Sequence, residues 1–328
     1  MSAKNQGRIV IQNNLINGTG LAPNPSPVPP PLPEVCSKLY VTNRGSNSVS
    51  VIDTATGQVI ETFDLDNYPE LIYVNNDLNQ VVVSVRYGPQ LLVIDSETDQ
   101  IIRSVTLNLT SVDGVVYNSS NNSYYVASYF DNQILVVDAT TYMVTGVIEN
   151  ITRPYELIID PVTNDIYAPN VFSNSISVIR NTEVIQQIEI EGSIFRIAFN
   201  PETRLAYVTI SGRGVGVINT STNTFETIID TAGGVEAIDV NPITNRIYAT
   251  KPQQLIVIDG DTNTVERVID YSGVSYQAIA INFIDHIAYV IDSRNNTVLT
   301  IDLASYEVLR TTEVGSGPID LGLYYYSC

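Results

Sequence analysis

Short apolar runs separated by polar turns recur along the whole chain. The stretch LYVTNRGSNSVSVID, residues 39–53, reads as two strands joined by a tight turn, and similar stretches end at Asp138, Asp259 and Asp302. Short runs rich in Val, Ile, Thr and Tyr between turn residues indicate β-strands, and no apolar run has helical spacing. The pattern therefore predicts an all-β protein.

One of these strands, with the pattern V-x-V-I-D, occurs at a regular interval. Its copies end at Asp53, Asp95, Asp138, Arg180, Asn219, Asp259 and Asp302, which are 42, 43, 42, 39, 40 and 43 residues apart. The strand before it is predicted at residues 40–42, 82–84, 125–127, 166–168, 206–208, 247–249 and 288–290. A period near 40 residues with four short strands per repeat is typical of a β-propeller blade. Seven copies predict seven four-stranded antiparallel blades.

The repeated LYVTN…VSVID pattern resembles the YVTN-type β-propeller repeats of bacterial and archaeal surface-layer and related proteins. The resemblance covers residues 38–325. It implies the propeller fold and favours a surface role, although a propeller motif is far more specific for fold than for function.

The repeat units leave one strand over at the C-terminus. The first unit, residues 38–65, has only three strands and lacks its inner one, whereas GPIDLGLYY, residues 317–325, belongs to no complete unit. We expect this last strand to pair with the first YVTN strand and close the ring. The predicted organisation is a strand-like arm over residues 1–20, a Pro-rich linker over 21–35 and the propeller over 36–328.

The only two cysteines are Cys36 and Cys328. Superposing the closing blade on the sixth blade places both in the same short turn, within the Cα separation of about 4.4–6.8 Å that a disulfide needs. We therefore predict a Cys36–Cys328 bond, which would suit an oxidising destination. Two free thiols and an intermolecular bond are the alternatives.

The N-terminal 35 residues lie outside the repeat. Residues 22–33 contain seven prolines, and such a stretch forms an extended spacer of about 35–40 Å. It follows a strand-like segment, GRIVIQNNLI, which could add to the sheet edge of a neighbouring molecule. The candidate assembly residues are Arg8, Ile9, Val10, Ile11, Leu15 and Ile16. A self-docked tail and an anchor to a different protein are alternatives.

The acidic charge of the chain and its lack of a recognisable secretory signal limit the partners and the location that we expect. The net charge of −19 and the pI near 4.2 disfavour nucleic acid as a partner. No segment is long and apolar enough to insert into a membrane, and the opening residues show no secretory signal. We expect an extracellular location, or one on a cell, spore or virion surface, that is reached without a recognisable signal peptide.

Few residues indicate catalysis or metal binding. The single histidine, His286, lies at a predicted turn, which disfavours a Ser-His-Asp triad. The aspartates that end the V-x-V-I-D strands are interpreted as acceptors for turn N–H groups. Near the starts of the inner strands lie Glu70, Asp113, Glu156, Arg196, Glu236, Gln277 and Asp320. The five carboxylates at the channel mouth would suit Ca²⁺; an acidic rim partly compensated by Arg196 is the alternative, and no other cofactor is indicated.

The sequence thus favours a non-enzymatic structural or interaction protein. Its most concrete form is a homo-oligomer or fibre in which each subunit donates its arm strand to the next. A metal-dependent, lactonase-like propeller hydrolase and a monomeric scaffold that binds a ligand or peptide are the alternatives.

Overall fold

The structure, a computed structural model, describes residues 35–328. In this part of the chain, seven antiparallel sheets follow one another around a ring. The first fourteen strands are β1 (Val35–Asn43), β2 (Ser48–Asp53), β3 (Gln58–Asp64), β4 (Pro69–Asn75), β5 (Gln80–Val85), β6 (Gln90–Asp95), β7 (Gln100–Thr106), β8 (Val115–Asn118), β9 (Ser123–Ser128), β10 (Gln133–Asp138), β11 (Val144–Ile148), β12 (Ile158–Ile159), β13 (Ile166–Asn170) and β14 (Ser175–Arg180). The others are β15 (Glu183–Glu189), β16 (Ile194–Asn200), β17 (Leu205–Ile210), β18 (Gly214–Asn219), β19 (Thr224–Asp230), β20 (Ala237–Asn241), β21 (Arg246–Lys251), β22 (Gln254–Asp259), β23 (Thr264–Asp270), β24 (Tyr276–Asn282), β25 (Ile287–Asp292), β26 (Thr297–Asp302), β27 (Val308–Glu313) and β28 (Pro318–Ser327).

The blades are numbered in chain order from blade 1, whose strand order is β28-β1-β2-β3. Blades 2 to 7 each use four consecutive strands, beginning with β4, β8, β12, β16, β20 and β24. These six strands and β28 are the inner strands, and each contacts the inner strand of the next blade around the axis. The predicted seven-bladed propeller is confirmed.

Ring closure is also as predicted. Strand β28 pairs with β1 in an antiparallel register that sets Tyr40 opposite Gly322. The predicted turn near the cysteines is not there, because the ladder continues to the pair Val35 and Ser327. No peptide bond joins the two strands at this end, so nothing forces them to stop pairing. A disulfide links Cys36 to Cys328, whose Cα atoms are 5.7 Å apart, and it is intramolecular.

Burial explains the V-x-V-I-D pattern. Third strands such as β2 and β6 are buried on both faces, because each blade is covered by a neighbour on either side. The apolar core is divided into seven clusters, one at each contact between neighbouring blades. Between blades 1 and 2, for example, Tyr40, Val49 and Val51 pack with Val81 and Val83. Burial on both faces requires continuous apolar strands, which the sequence provides.

Asparagine is frequent because many tight turns require a left-handed residue. Asn79, Asn122 and Asn245 have φ values of 52°, 52° and 49° in the turns between first and second strands. His286 occupies the same turn position in blade 7 with φ 57°, so its interpretation as a turn residue is confirmed. Asparagine tolerates this backbone conformation better than most residues.

The aspartates after the third strands bind the turns that follow them. Asp53 Oδ1 accepts the main-chain N–H of Thr56 at 2.8 Å, and Asp302 Oδ1 accepts that of Ser305 at 2.6 Å. Such hydrogen bonds hold the pKa of Asp95, Asp138 and Asp302 below the usual aspartate range. The turn interpretation of these aspartates is confirmed.

Every outer strand contains a β-bulge at the same place. In blade 1, Val51 pairs with Glu61 and Ile52 pairs with Val59, so Ile60 is the extra residue. The seven extra residues are Ile60, Ile102, Thr145, Ile185, Glu226, Glu266 and Leu309. A bulge at this position increases the local twist of the outer edge.

The inner strand of blade 4 is the shortest of the seven. The segment RPYELIIDP, residues 153–161, forms only the two-residue strand Ile158–Ile159 and an isolated bridge between Pro154 and Asn170. Arg153 has φ 49°, and Pro154 has no N–H to donate to a ladder. The backbone before Ile158 is therefore not held in a regular strand.

The predicted arm and most of the linker lie outside the described residues. Within residues 35–328, the structure contains no helix with the length and apolar character of a membrane span.

We expect that replacing both cysteines, Cys36→Ser with Cys328→Ser, lowers the free energy of unfolding by about 2–5 kcal/mol, because the closed ring loses its covalent tie. Guanidinium unfolding with and without a reductant measures this. The reduced wild type should match the double variant, and the variant should not respond to the reductant. An unchanged midpoint for the fully reduced wild type would contradict the expectation.

Candidate functional site

The inner strands begin around one end of the central channel, at a cavity of about 560 Å³. We call this cavity the mouth. All seven blades contribute to its lining, with Arg44 and Ile319 from blade 1, Glu70 and Arg86 from blade 2, Tyr129 from blade 3, Tyr155 from blade 4, Arg196 from blade 5, Glu236 from blade 6 and Gln277 from blade 7.

Glu70 is the most buried acid of the mouth. Its side chain has an exposed fraction of 0%, and both carboxylate oxygens accept hydrogen bonds. Arg86 Nη1 donates to Oε1 at 3.0 Å, the Tyr155 hydroxyl donates to Oε1 at 2.9 Å, and Arg44 donates to Oε2. Burial raises the pKa of Tyr155 far above the ordinary tyrosine value, and Glu70 adds to this effect, so the phenol remains a donor.

Asp113 lies behind Arg86. Its Oδ1 is 3.3 Å from Arg86 Nε, and its Oδ2 accepts hydrogen bonds from the Ser111 hydroxyl at 2.7 Å and the main-chain N–H of Tyr129 at 2.8 Å. Burial raises the pKa of Asp113. Arg86 is therefore held between Glu70 and Asp113.

Arg196 extends from blade 5 across the channel. Its Nη1 donates to Glu156 of blade 4 at 3.3 Å and to Asp320 of blade 1 at 3.2 Å. The second oxygen of each carboxylate accepts a main-chain N–H of the next inner strand, from Ile197 and Ile72, both at 2.8 Å. Burial raises the pKa of Glu156 and Asp320, and Arg196 opposes that shift. This ion triad ties blades 1, 2, 4 and 5 together.

A second cavity of about 280 Å³ lies on the other side of Arg196, which lines both cavities. Asp239 of blade 6 lines it and accepts the main-chain N–H groups of Val240 at 2.8 Å and Ile281 at 2.7 Å. Among residues 35–328, no arginine or lysine forms an ion pair with Asp239. Burial raises the pKa of this carboxyl to about 7.

The structure separates the five carboxylates that the sequence grouped at the mouth. Glu70 and Glu236 line the mouth, Glu156 and Asp320 line the second cavity, and Asp113 lies behind Arg86. In the strand registers, Glu156 and Asp320 occupy equivalent positions of their blades. Glu70, Asp113 and Glu236 each lie one residue before that position. Four of the five pair with arginine. The ring of free carboxylates is thus replaced by a largely neutralised network.

Within the described range, no group of three or more His, Cys, Asp or Glu side chains is arranged to hold a metal ion. The Ca²⁺ interpretation stays a prediction.

The sequence reasoning missed Arg44, Arg86, Tyr155 and Asp239. Arg44 and Arg86 each lie in the turn directly after the second strand of a blade. That turn lies at the same end of the blade as the start of the inner strand, so the repeat alignment contained a signal for both arginines. Asp239 lies two residues beyond Ala237, the equivalent of Asp320, and strand alternation returns it to the channel.

Aromatic and arginine side chains of blades 3 to 5 lie together at the edge of the mouth, where Tyr129 and Phe195 line the cavity. Arg153 lies over the rings of Tyr129 and Phe172, at 5.5 and 5.6 Å from the centroids. Phe172 and Phe195 meet edge to face with centroids 5.9 Å apart. This side of the mouth therefore offers apolar surface next to fixed cations.

Comparisons with known proteins support the fold. The family described as YNCE-like beta-propeller matches residues 35–118. A functionally unknown protein from Desulfotomaculum acetoxidans DSM 771 has a similar structure, with a TM-score of 0.77 and 13% sequence identity over 87% of this chain and 98% of that one. No curated protein matches the chain. At this identity the similarity shows a β-propeller fold alone, and the narrower YVTN resemblance stays a prediction.

We expect Arg196→Met to lower the free energy of unfolding by about 3–5 kcal/mol near neutral pH, because it leaves Glu156 and Asp320 as unpaired charges in the channel. The loss should shrink in acid, where both carboxylates take up protons. Denaturant titrations of the variant and the wild type, near neutral pH and in acid, measure this difference in the free energy of unfolding. Arg213→Met is the control, because Arg213 forms an exposed pair with Glu191. Equal effects of the two variants would contradict the role of Arg196.

We expect Asp239→Asn to flatten the pH dependence of stability. Folding raises the pKa of Asp239 from 3.8 to about 7, so in this window the folded chain holds a proton that the unfolded chain has released. This contribution to stability is present in mild acid and is lost as the pH rises through about 7. Thermal unfolding between about pH 5 and pH 8 should show a smaller change in the variant than in the wild type. The exposed substitution Asp66→Asn should leave the profile unchanged, and a parallel profile for Asp239→Asn would be evidence against the assignment.

Proposed function

We propose that this protein is a non-enzymatic interaction protein that assembles through its outer strands. Each subunit would receive the strand-like N-terminal segment of a neighbour at an outer sheet edge. The observation that carries the proposal is the uneven distribution of exposed aliphatic side chains over the seven outer strands.

Outer strands have one unpaired edge, and several of them are unusually apolar. The exposed apolar residues on or beside the outer strands of blades 7, 1, 2 and 3 are Val308, Leu309, Val59, Ile60, Ile101, Ile102, Met143, Val144 and Val147. Blades 4 and 6 carry only Ile185 and Val268, and blade 5 carries no such residue. Exposed apolar residues on an open edge favour the addition of another strand.

The bulges add to this asymmetry. The extra residues of blades 7, 1 and 2 are Leu309, Ile60 and Ile102, with exposed fractions of 59%, 47% and 48%. In blades 5 and 6 the same position holds Glu226 and Glu266. A charged residue at an edge bulge is a common protection against strand addition. Blades 7, 1 and 2 lack this protection.

The N-terminal segment has the complementary properties. GRIVIQNNLI is strand-like and apolar, and the basic residues Lys4 and Arg8 lie in or near it, whereas the chain as a whole has a net charge of −19. The proline-rich stretch after it would let the segment reach a second subunit. A contact of this kind between different surfaces continues as a filament unless its rotation closes a ring.

Two further observations support a binding role without catalysis. The arginine partners of Glu70, Asp113, Glu156 and Asp320 occupy carboxylate oxygens that a catalytic metal would need. The disulfide suits an oxidising destination such as the surface of a cell, spore or virion. A metal-dependent hydrolase and a monomeric scaffold remain the alternative proposals.

We expect the full-length protein to form polymers that a chain beginning at Val35 does not form. Removing the donor segment leaves the ring without a strand to add, so electron microscopy and light scattering should show only single rings. Both proteins should unfold at similar denaturant concentrations. Polymers of the shortened chain, or single rings for both proteins, would refute arm-mediated assembly.

The receiving edge is tested by combining Ile60→Lys, Ile102→Lys and Leu309→Lys in the full-length chain. Lysine at an outer edge disfavours strand addition, so the polymers should shorten or disappear. The charge-matched control combines Thr224→Lys, Thr227→Lys and Thr264→Lys on the outer strands of blades 5 and 6 and should still polymerise. Equal loss in both variants would show that added charge, and not the edge of blades 7, 1 and 2, is responsible.

A further inference from the structure

The mouth has properties of a small-molecule site that assembly through the outer strands does not use. Its volume of about 560 Å³ lies within the range of ligand pockets. Polar and charged side chains from different blades converge on it beside aromatic rings. Residues whose pKa is shifted by burial, Tyr155 among them, cluster around it, which is typical of binding sites.

One wall of the mouth presents guanidinium groups. Arg44 and Arg86 both donate to Glu70, whose side chain is fully buried, so Glu70 fixes their orientation and is not itself accessible. The Arg44 side chain remains 40% exposed, and its hydrogen bond to Glu70 uses only Nη2. The other donors of Arg44 can reach a ligand, and a planar guanidinium matches a carboxylate in two-point geometry.

Blades 6 and 7 form a different wall. Glu236 is exposed there, and its carboxylate has no hydrogen bond or ion pair with any residue in the range 35–328. Gln277 lies beside the same cavity and supplies an amide oxygen. These two side chains offer acceptors for an ammonium group.

The charge balance selects the ligand class. The guanidinium groups of Arg44, Arg86 and Arg196 are already matched by Glu70, Asp113, Glu156 and Asp320. A simple anion would add uncompensated negative charge to this network, and a simple cation would meet the guanidinium wall. A molecule with both charges can satisfy both walls without changing the total.

We propose that the mouth binds a zwitterionic small molecule, such as a short peptide with free ends. Its carboxylate binds Arg44 and Arg86, and its ammonium group binds Glu236 and Gln277. An apolar side chain packs against Tyr129 and Phe195, which line the same cavity. The site is separate from the outer strands, so its test is independent of polymer formation.

Three matched probes separate the two charges, namely the dipeptide Gly-Phe, N-acetyl-Gly-Phe without the ammonium group and Gly-Phe amide without the carboxylate. Isothermal titration of the full-length protein should show Gly-Phe binding at least about tenfold more tightly than either capped form, because each cap removes one charge-assisted hydrogen-bonding group. Equal affinities for free and capped forms, or no heat with any probe at millimolar concentration, would overturn the proposal.

Two variants test which wall of the mouth binds the ammonium group and which binds the carboxylate. Glu236→Gln should weaken Gly-Phe binding about tenfold and leave N-acetyl-Gly-Phe unaffected, whereas Arg44→Gln should weaken Gly-Phe and leave Gly-Phe amide unaffected. Both residues are accessible to solvent, so both variants should fold. Glu202→Gln, an exposed change in the turn between β16 and β17 at the other end of blade 5, is the control. Full binding by Glu236→Gln or by Arg44→Gln would exclude the assigned wall.

Discussion

The pairing of β28 with β1 is the constraint on which the whole ring depends. Blades 2 to 7 are each built from consecutive strands, but blade 1 takes its inner strand from the far end of the chain. Without that strand, the apolar faces between blades 1 and 2 and between blades 7 and 1 would lose Tyr324 and Leu321. Because every blade is buried by its two neighbours, one incomplete blade would leave two interfaces open. The Cys36–Cys328 bond lies at the end of this ladder and limits its fraying.

The ion triad of Arg196, Glu156 and Asp320 adds a second level of organisation inside the ring. Main-chain pairing holds each blade together, and apolar clusters join each blade to its neighbours. The triad also connects blades that are not neighbours, because Arg196 lies on blade 5 and Asp320 on blade 1. Removing one partner of a buried ion pair is costly, because it leaves an unpaired charge in the interior. The triad thus maintains a charged partition between the two cavities of the channel.

The sequence predicted the fold well because the fold repeats. A period near 40 residues, continuous apolar third strands and a leftover C-terminal strand are local patterns, and they led to the blade count, the closure and the disulfide. The functional site was predicted less well for two physical reasons. A one-residue error in strand register moves a side chain to the other face, which is how Glu70 and Asp320 were placed in one ring. Apart from the Arg86–Glu70 pair within blade 2, the arginine partners come from other blades. No local pattern pairs Arg86 with Asp113 or Arg196 with Asp320.

Cys36 has a mechanical consequence for a chain that is pulled at its N-terminal side. Tension transmitted through the preceding residues reaches the ring at Val35, at the end of the β1 ladder. Without the disulfide, the hydrogen bonds of this ladder would be loaded from one end and would break one after another. The disulfide transfers the load from Cys36 to Cys328, one residue after the point at which the load reaches the ring. Strands β1 and β28 are then loaded together, so a ring under tension must break a covalent bond before β1 can separate from β28 at this end.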